Sequence, residues 1–524
     1  MGQRAKPARV RSGRGTPPGG TGTRTLIHGV LLATTSLLAT AWLVQLGLQA
    51  ARGTFATDEC FHAYVAQWIV THHRLPTIIP ELYSGFYYYY QPMLHLIGAL
   101  AVAVAGAPSL HLLPTCFAAA TFLALWFATP RSVSPAARAG AVLLCLGNRA
   151  FAEYAVRFYV EGLTTLEFAL GAALLLRHEA SGRRRDALWL GVLVAAAMLT
   201  KFTGWLLLIL VVARAGWLAL RGSHRRAVDL AIAAGLAILA SMPWLIRNQT
   251  LFGSALYPAF APDMDRALYT INLHRFSVPA QVFLVGTPRL LGMAVVCVAL
   301  AAIAVAAWRR DGSDRAWLLG FALVGLASVA FTPMASARHL DPFLPVLALA
   351  ATAILFDALE SRRLAETTLA VALLIPAAMA VLALPEVRRP VDEQPYMRDA
   401  LAAVRLLVPP SATVLSLWTY DTFYHGGCHA TWPIPWGQRV HPVEMFTETD
   451  PDRWLAELRR YDIRYVLMPS STRSLVFDSA NYPRSFLAQV DSLLRRGALD
   501  VTWSSGGMIL VGVRDTVMAR DATQ

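Results

Sequence analysis

Charged residues are scarce in this sequence. Asp, Glu, Lys and Arg make up 15% of the 524 residues, whereas 56% are hydrophobic. A soluble globular domain carries about 25% charged residues. Apolar runs of about 20 residues, long enough to cross about 30 Å of hydrocarbon, recur through the first 385 positions. The scarcity of charge therefore excludes a soluble protein and predicts a polytopic membrane protein.

Lysine is rarer still: of the 46 Lys and Arg residues, only Lys6 and Lys201 are lysine. The formal net charge is +13, but the arginines cluster in short loops between apolar runs. That pattern is typical of a topology signal, so we expect a lipid bilayer and no nucleic acid as partner. The cysteines have no spacing typical of a metal or disulfide motif; they are Cys60, Cys116, Cys145, Cys297 and Cys428.

The apolar runs predict about eleven membrane-spanning helices. A basic, Gly/Pro-rich tail, 1–25, is predicted to be disordered, and the run 26–48 after it to be a retained anchor. If the run 91–107 packs at the outer leaflet without crossing, every Arg-rich loop falls on the cytoplasmic side, with the N-terminus inside and the C-terminus outside. The other runs lie near 111–129, 138–152, 161–177, 186–200, 202–219, 227–246, 286–308, 315–332, 339–356 and 364–384.

The composition changes after residue 385. We predict a transmembrane domain over 26–385 with an outer loop at 49–110, followed by a small extracytoplasmic α/β domain over 386–524. Period-2 and period-3.6 patterns and turn residues place the elements of the second domain. Helices are predicted at 396–407, 451–461 and 484–497, and strands at 412–418, 463–468, 500–504 and 507–513.

Two carboxylates, Asp58 and Glu59, follow the first apolar run in the stretch TFATDECFHAYVAQWI. Thr57 is a good N-cap, and acids in a first turn stabilise a helix, so a purely structural function is one interpretation. An apolar stripe continues the helix and predicts that it lies flat at a membrane interface. Asp58 shares the side of the stripe, whereas Glu59 is rotated by about 100°. A carboxylate aimed into a low-dielectric site is a candidate base.

Further ionisable residues stand at the predicted outer ends of the spans: Arg157, Glu161, Lys201, Arg247, Arg338, His339 and Asp341. Each alone is explained equally well by an anchor that snorkels to the headgroups. Together, carboxylates and cations on one face suit a lipid-linked phosphate with a group to transfer. The ammonium group of Lys201 is compact and is suited to contact a phosphate as a point charge.

The ordered motifs DE, RFYVEGLT, LTKFTGW, PWLIRNQTLFGSALYP and RHLDPFLP resemble the GT-C superfamily of polyprenyl-phosphate-sugar-dependent glycosyltransferases. Within it, glycosyltransferase family 39, the protein O-mannosyltransferase and lipid A aminoarabinose transferase group, is most similar. The resemblance implies that 26–385 is a catalytic transmembrane domain that inverts the anomeric centre. Asp58 matches the proposed base, and Glu59 the second acid of the DE pair.

The resemblance also implies a substrate-binding set. Glu161 stands where the family usually has Asp in its second outer loop, and Lys201 and Arg338 fall where the family contacts the lipid phosphate. Tyr88 and Tyr89 belong to FYYYYQPM, in the loop that closes over the family's site; they would stack on sugar or form an interfacial aromatic belt. Arg157, Arg247 and His339 complete the expected set.

The implied donor is a sugar on a polyprenyl phosphate, and the acceptor is a protein, lipid A or another envelope glycan. The Arg- and Ala-rich composition suggests a bacterium, and hence its inner membrane. Mannose, aminoarabinose and galacturonic acid are all compatible.

Three alternatives stay open. Asp58 and His62 are i, i+4 neighbours and, with His72 and His73, are a candidate set for a divalent metal, although no cofactor is certain. A lipid or glycan transporter is the second alternative, but we find no internal repeat of the transporter type. A catalytically inactive scaffold is the third.

Overall fold

The computed structural model describes residues 21–257, 292–309, 313–330, 337–360, 362–384, 395–432, 445, 448–470 and 484–514. Residues 1–20 of the predicted disordered tail lie outside these residues, as does the start of the run predicted near 286–308.

Helices dominate the described residues up to position 384. The first seven are α1 (Thr21–Arg52), α2 (Asp58–His72), α3 (Met93–Ala105), α4 (Ser109–Leu123), α5 (Pro135–Leu146), α6 (Arg149–Tyr154) and α7 (Val160–Ser181). The next seven are α8 (Arg184–Thr200), α9 (Trp205–Leu220), α10 (His224–Phe252), α11 (Met293–Arg309), α12 (Asp314–Ala330), α13 (Leu344–Leu359) and α14 (Arg363–Leu382). A 3₁₀ segment, Ala337–Phe343, precedes α13.

Six of the described helical stretches are long and apolar enough to cross a membrane: His28–Arg52, Ser109–Ala128, Phe202–Leu220, His224–Phe252, Arg338–Leu359 and Leu364–Leu382. The chain is therefore a multi-pass membrane protein, and the count of eleven spans stays a prediction. Helix α3 has 13 residues, which extend only about 20 Å at 1.5 Å per residue. That is shorter than the hydrocarbon layer, as is α5 with its 12 residues, and the expectation that 91–107 does not cross stays a prediction.

Helix α13 is the centre of the bundle. Every residue from Leu344 to Phe356 is buried, because its apolar side chains point in all directions and α5, α11 and α12 pack around it. Helices α8 and α10 approach closely at Gly191, where a Cβ atom would lie 2.7 Å from the carbonyl oxygen of Ala233.

A five-stranded sheet lies in the C-terminal part. Its strands are β3 (Thr413–Ser416), β4 (His429–Thr431), β5 (Ile463–Pro469), β6 (Leu499–Ser505) and β7 (Met508–Val513), in the order β4-β3-β5-β7-β6. Strand β3 is parallel to β4 and β5, whereas β7 is antiparallel to β5 and β6. The accompanying helices are α15 (Pro395–Leu407), α16 (Thr419–Gly426), α17 (Pro451–Arg460) and α18 (Arg484–Arg495).

The C-terminal elements found here lie close to the predicted ones, with two additions that the sequence patterns did not indicate: α16 and β4. These two contact the segment after α2, which contains the short hairpin β1 (Ile78–Ile79) and β2 (Phe86–Tyr87). Tyr83 N donates to Ala430 O at 2.8 Å, and Ala430 N donates to Glu81 O at 3.0 Å. The C-terminal sheet therefore extends onto the loop that follows α2.

The close approach of α8 and α10 yields a first prediction. Gly191→Leu forces a side chain against the backbone of α10, and overpacking of this kind costs about 1–3 kcal/mol. We expect a lower midpoint of thermal unfolding in detergent. Gly235→Leu on α10 is the control, because no described atom lies within 4 Å of its Cβ position. Equal midpoints for the two variants would contradict this packing.

Candidate functional site

The residue directly before helix α2, Thr57, has a strained backbone, and contacts from two other parts of the chain hold it in place. Thr57 occupies the N-cap position with φ of 53°, a value uncommon for a β-branched residue, and its side chain makes no capping hydrogen bond. Its hydroxyl instead lies 2.5 Å from the hydroxyl of Tyr159, and its backbone N–H donates to Asp421 Oδ1 at 3.0 Å. The expectation that Thr57 caps α2 through its side chain is therefore wrong.

Glu59 is buried and binds backbone. Its Oε1 accepts from Phe158 N at 2.8 Å, and its Oε2 accepts from Ala56 N at 3.3 Å. Glu59 thus connects the start of α2 to the segment before α7. These contacts hold the backbone, and the catalytic function that the resemblance implies for Glu59 as the second acid of the DE pair stays a prediction.

Asp58 belongs to a cluster of charges that we call the Arg338 cluster: Asp58, Glu161, Lys201, Arg338 and His339. Arg338 Nη1 donates to Asp58 Oδ2 at 2.7 Å, and Arg338 Nε lies 3.4 Å from Glu161 Oε1. The same oxygen accepts from Lys201 Nζ at 2.6 Å and lies 3.8 Å from His339 Nε2. The structure thus brings five of the predicted site residues together.

The cluster is layered. The side chain of Glu161 is only 3% exposed, whereas those of Lys201, Arg338 and Asp58 are 18%, 24% and 26% exposed. Glu161 therefore lies behind the cations as their buried counter-ion. An anion that arrives from solvent meets Lys201 and Arg338 before it meets Glu161.

Two predicted substrate-binding arginines have other contacts. Arg157 Nη2 lies 3.1 Å from Glu153 Oε1, and the guanidinium lies near the ring of Tyr159. Arg247 Nη2 donates to the carbonyl oxygen of Tyr88 at 2.7 Å, and its guanidinium lies 4.4 Å from the ring of Trp244. Neither arginine has a recorded contact with a member of the Arg338 cluster.

Tyr88 and Tyr89 are both buried, so neither offers an open ring face to a sugar in this structure. The Tyr88 hydroxyl lies 2.7 Å from His95 Nδ1, and His95 Nε2 lies 2.8 Å from His62 Nδ1. Burial lowers the pKa of His62 to about 4, so its imidazole is neutral at neutral pH.

Tyr90 and Tyr420 are site residues that the sequence did not single out. Both interact with Asp58 electrostatically, and hydrogen bonds join Tyr90 to Tyr89 and to Tyr420. Burial raises the pKa of Tyr90 to about 12, so its hydroxyl stays protonated and available as a donor. Tyr90 stands in the quoted run FYYYYQPM, whereas no sequence signal joins Tyr420 to it.

The predicted metal set is not assembled. His72 and His73 lie at the far end of α2, about 20 Å from Asp58 at 1.5 Å per residue, and His62 Nδ1 is engaged by His95. The two acids of the Arg338 cluster do not fit a metal either, because both face cations. Another group of metal-ligating side chains lies nearby: Cys60, Asp421 and His425.

A small pocket, with an internal volume of about 10 Å³, lies between the end of α8, the start of α9 and the end of α10. Its lining is mixed: the apolar side chains include Met198, Leu199, Phe202, Trp205, Trp244 and Leu245, and the polar ones Gln91, Ser241, Asn248 and Tyr257. In the sequence, Lys201 comes directly before Phe202 of this lining, and Arg247 comes two positions after Leu245.

No protein-family model matches the sequence, and no curated protein is significantly similar to it. Solved structures do match. The oligosaccharyltransferase AglB of Archaeoglobus fulgidus, in complex with an inhibitory peptide and a dolichol-phosphate, matches with a TM-score of 0.66 and 14% identity, over 89% of this chain and 72% of that chain. ArnT of Cupriavidus metallidurans, bound to undecaprenyl phosphate, matches with a TM-score of 0.63 and 13% identity, over 93% and 98%.

The fold that the resemblance implied is confirmed by these structural neighbours. Identities this low establish the fold alone.

The geometry of Glu59 yields a second prediction. Glu59→Ala leaves two buried backbone amides without this acceptor, at a cost of about 1–3 kcal/mol each, so we expect a clearly lower midpoint of thermal unfolding. Glu59→Gln keeps one side-chain oxygen for Phe158 N, and we expect it to recover much of that loss. A Glu59→Ala protein as stable as the wild type would contradict the structural assignment.

Proposed function

We propose that this chain is a membrane glycosyltransferase that moves a sugar from a polyprenyl-phosphate carrier to an envelope acceptor. The observation that carries the proposal is the Arg338 cluster, in which two cations and two carboxylates meet. The fold supports it, because both neighbours described above were solved with lipid phosphates.

The lipid phosphate binds at Lys201 and Arg338. Both side chains are partly exposed and already converge on one carboxylate oxygen, Glu161 Oε1. A phosphate oxygen attracts the same donors, and charge-assisted hydrogen bonds are about twice as strong as neutral ones. Glu161 holds the two cations in place before the donor arrives, so little reorganisation is needed.

We place the start of the polyprenyl chain at the pocket between α8, α9 and α10, which has to widen to admit it. Tryptophan, phenylalanine, leucine and methionine side chains form one part of its lining and suit a branched hydrocarbon. Arg247 stands at its edge and makes no ion pair among the described residues, so its charge is available to a phosphate. Its stacking on Trp244 fixes the guanidinium there.

Asp58 acts as the base. The acceptor hydroxyl attacks C1 of the sugar, a new C1–O bond forms, the C1–O bond to the phosphate breaks, and the hydroxyl proton passes to the Asp58 carboxylate. The polyprenyl phosphate leaves with the electron pair, against Lys201 and Arg338. A single displacement of this kind inverts the anomeric centre and needs no covalent enzyme intermediate.

The acceptor is a protein, lipid A or another envelope glycan, and residues 386–524 shape its side of the site. The placement of Asp421 and Tyr420 next to α2 supports that arrangement. We infer a bacterial inner membrane, with the N-terminus in the cytoplasm and the reaction on the outer face, from the distribution of arginine.

The third prediction tests the reaction directly. Wild-type protein in detergent is given a panel of polyprenyl-phosphate sugars and an envelope extract, and release of free polyprenyl phosphate is measured. We expect release with one donor of the panel. Asp58→Asn should reduce that rate by about 10²–10⁴-fold, the usual loss when a positioned base is removed.

Asp357→Asn is the matched control, since Asp357 is an exposed carboxylate paired with Arg309 and Arg315 and belongs to a different part of the bundle. It should keep the wild-type rate. Substantial turnover by a correctly inserted Asp58→Asn protein would refute the base, and no release with any donor would count against the transferase proposal.

The fourth prediction concerns Lys201. Lys201→Arg keeps the charge but places a larger, planar group against the buried Glu161 oxygen, 2.6 Å from Nζ. We expect the rate of polyprenyl phosphate release to fall by at least about tenfold, which corresponds to 1.4 kcal/mol. Arg226→Lys, which changes a cation paired with Glu179, is the control. Wild-type kinetics for Lys201→Arg would show that Lys201 does not bind the phosphate.

A further inference from the structure

Three metal-ligating side chains meet where α16 packs on α2. Cys60 Sγ lies 3.5 Å from His425 Nε2 and 4.0 Å from Asp421 Oδ1. One ligand atom from each side chain lies within 4.8 Å of the others. These three side chains, which we call the Cys60 cluster, have no part in the transfer reaction proposed above.

The distances suit a small divalent ion. Zn²⁺ binds thiolate sulfur at about 2.3 Å and imidazole nitrogen or carboxylate oxygen at about 2.0–2.2 Å, usually in a tetrahedron. In such a tetrahedron the ligand atoms lie about 3.5 Å apart, which is the separation of the sulfur and the nitrogen here. The sulfur–oxygen pair has to close by a few tenths of an ångström, and the Asp421 oxygen and the His425 nitrogen, which lie within 4.8 Å of each other, have to approach to a similar separation.

Asp421 provides independent support. Its residue is 4% exposed, and its Oδ2 atom has no hydrogen-bond partner among the described residues, while Oδ1 accepts from Thr57 N. An unpartnered carboxylate oxygen in such a place is costly. A divalent cation bound through Oδ2 beside Cys60 removes that cost, and a thiolate and a carboxylate neutralise its two charges.

His425 completes the set and leaves a route for the ion. It is only partly buried, so the cluster is reachable from its side. Its Nε2 atom now lies 2.8 Å from the carbonyl oxygen of Phe55. On metal binding the ring proton moves to Nδ1 and Nε2 becomes a ligand, while the Phe55 oxygen or a water supplies the fourth donor.

We propose that Cys60, Asp421 and His425 bind a structural divalent metal ion of the zinc class, which fastens the C-terminal part of the chain to α2. Mixed sulfur, nitrogen and oxygen ligation favours zinc over magnesium or calcium, which prefer oxygen alone. One of its ligands, Cys60, is two positions after Asp58 in the sequence. The ion holds α2 in place and takes no part in the sugar transfer.

The test uses the full-length protein in detergent, purified without a polyhistidine tag. Zinc content is measured after gel filtration, and Co²⁺ is then exchanged into the protein. We expect one ion per chain and a near-ultraviolet thiolate-to-cobalt charge-transfer band, which reports a cysteine ligand without reference to activity. A wild-type protein that takes up no Co²⁺ with this band overturns the proposal, whatever the variants do.

Variants assign the ligands. Cys60→Ser should abolish the band. His425→Gln should weaken Co²⁺ binding by more than about tenfold, because loss of a residue that merely hydrogen-bonds to a metal ligand already weakens binding by about that much. Cys428→Ser is the matched control, because Cys428 is also a buried thiol of this region but bonds to the carbonyl of Thr422. A band that survives Cys60→Ser, or one that is lost in Cys428→Ser alone, refutes this ligand set.

Discussion

The ion pairs of Arg338 hold the candidate site together. This one guanidinium contacts Asp58, which is 280 positions away in the sequence, and Glu161, at the start of α7. Glu161 is buried, and a buried charge that loses its partner costs several kcal/mol. The start of α2, the start of α7 and the segment before α13 must therefore meet at one point for any of them to be stable there.

The C-terminal part maintains that meeting point from the other side. Asp421 accepts from the N–H of Thr57, and the Thr57 hydroxyl pairs with Tyr159, whose ring lies under Arg338. Thr57 has an unfavourable φ, so these contacts hold the backbone immediately before Asp58 in a conformation that it would not adopt alone. The orientation of Asp58 thus depends on a helix, α16, that lies far along the chain.

These dependences explain which predictions the sequence supported. Apolar runs determine where helices form, and the rarity of lysine drew attention to Lys201, because both are local properties of the chain. The partner of Lys201 is distant in the sequence, so a local pattern cannot identify it. The contact between Glu59 and the backbone of Phe158 is distant too, and Glu59 was therefore given a catalytic function that its hydrogen bonds do not suggest. Helix α16 was missed because its eight residues are polar and aromatic without a clear period.

In the reaction that we propose, the pairing within the cluster also connects donor binding to proton transfer. Two acids balance two cations while His339 is neutral, so the lipid phosphate brings net negative charge to the site. As Arg338 turns toward the phosphate, Asp58 loses its 2.7 Å hydrogen bond and faces an added negative charge. In that reaction the Asp58 carboxylate is then free to accept the proton of the acceptor hydroxyl, so proton transfer follows donor binding.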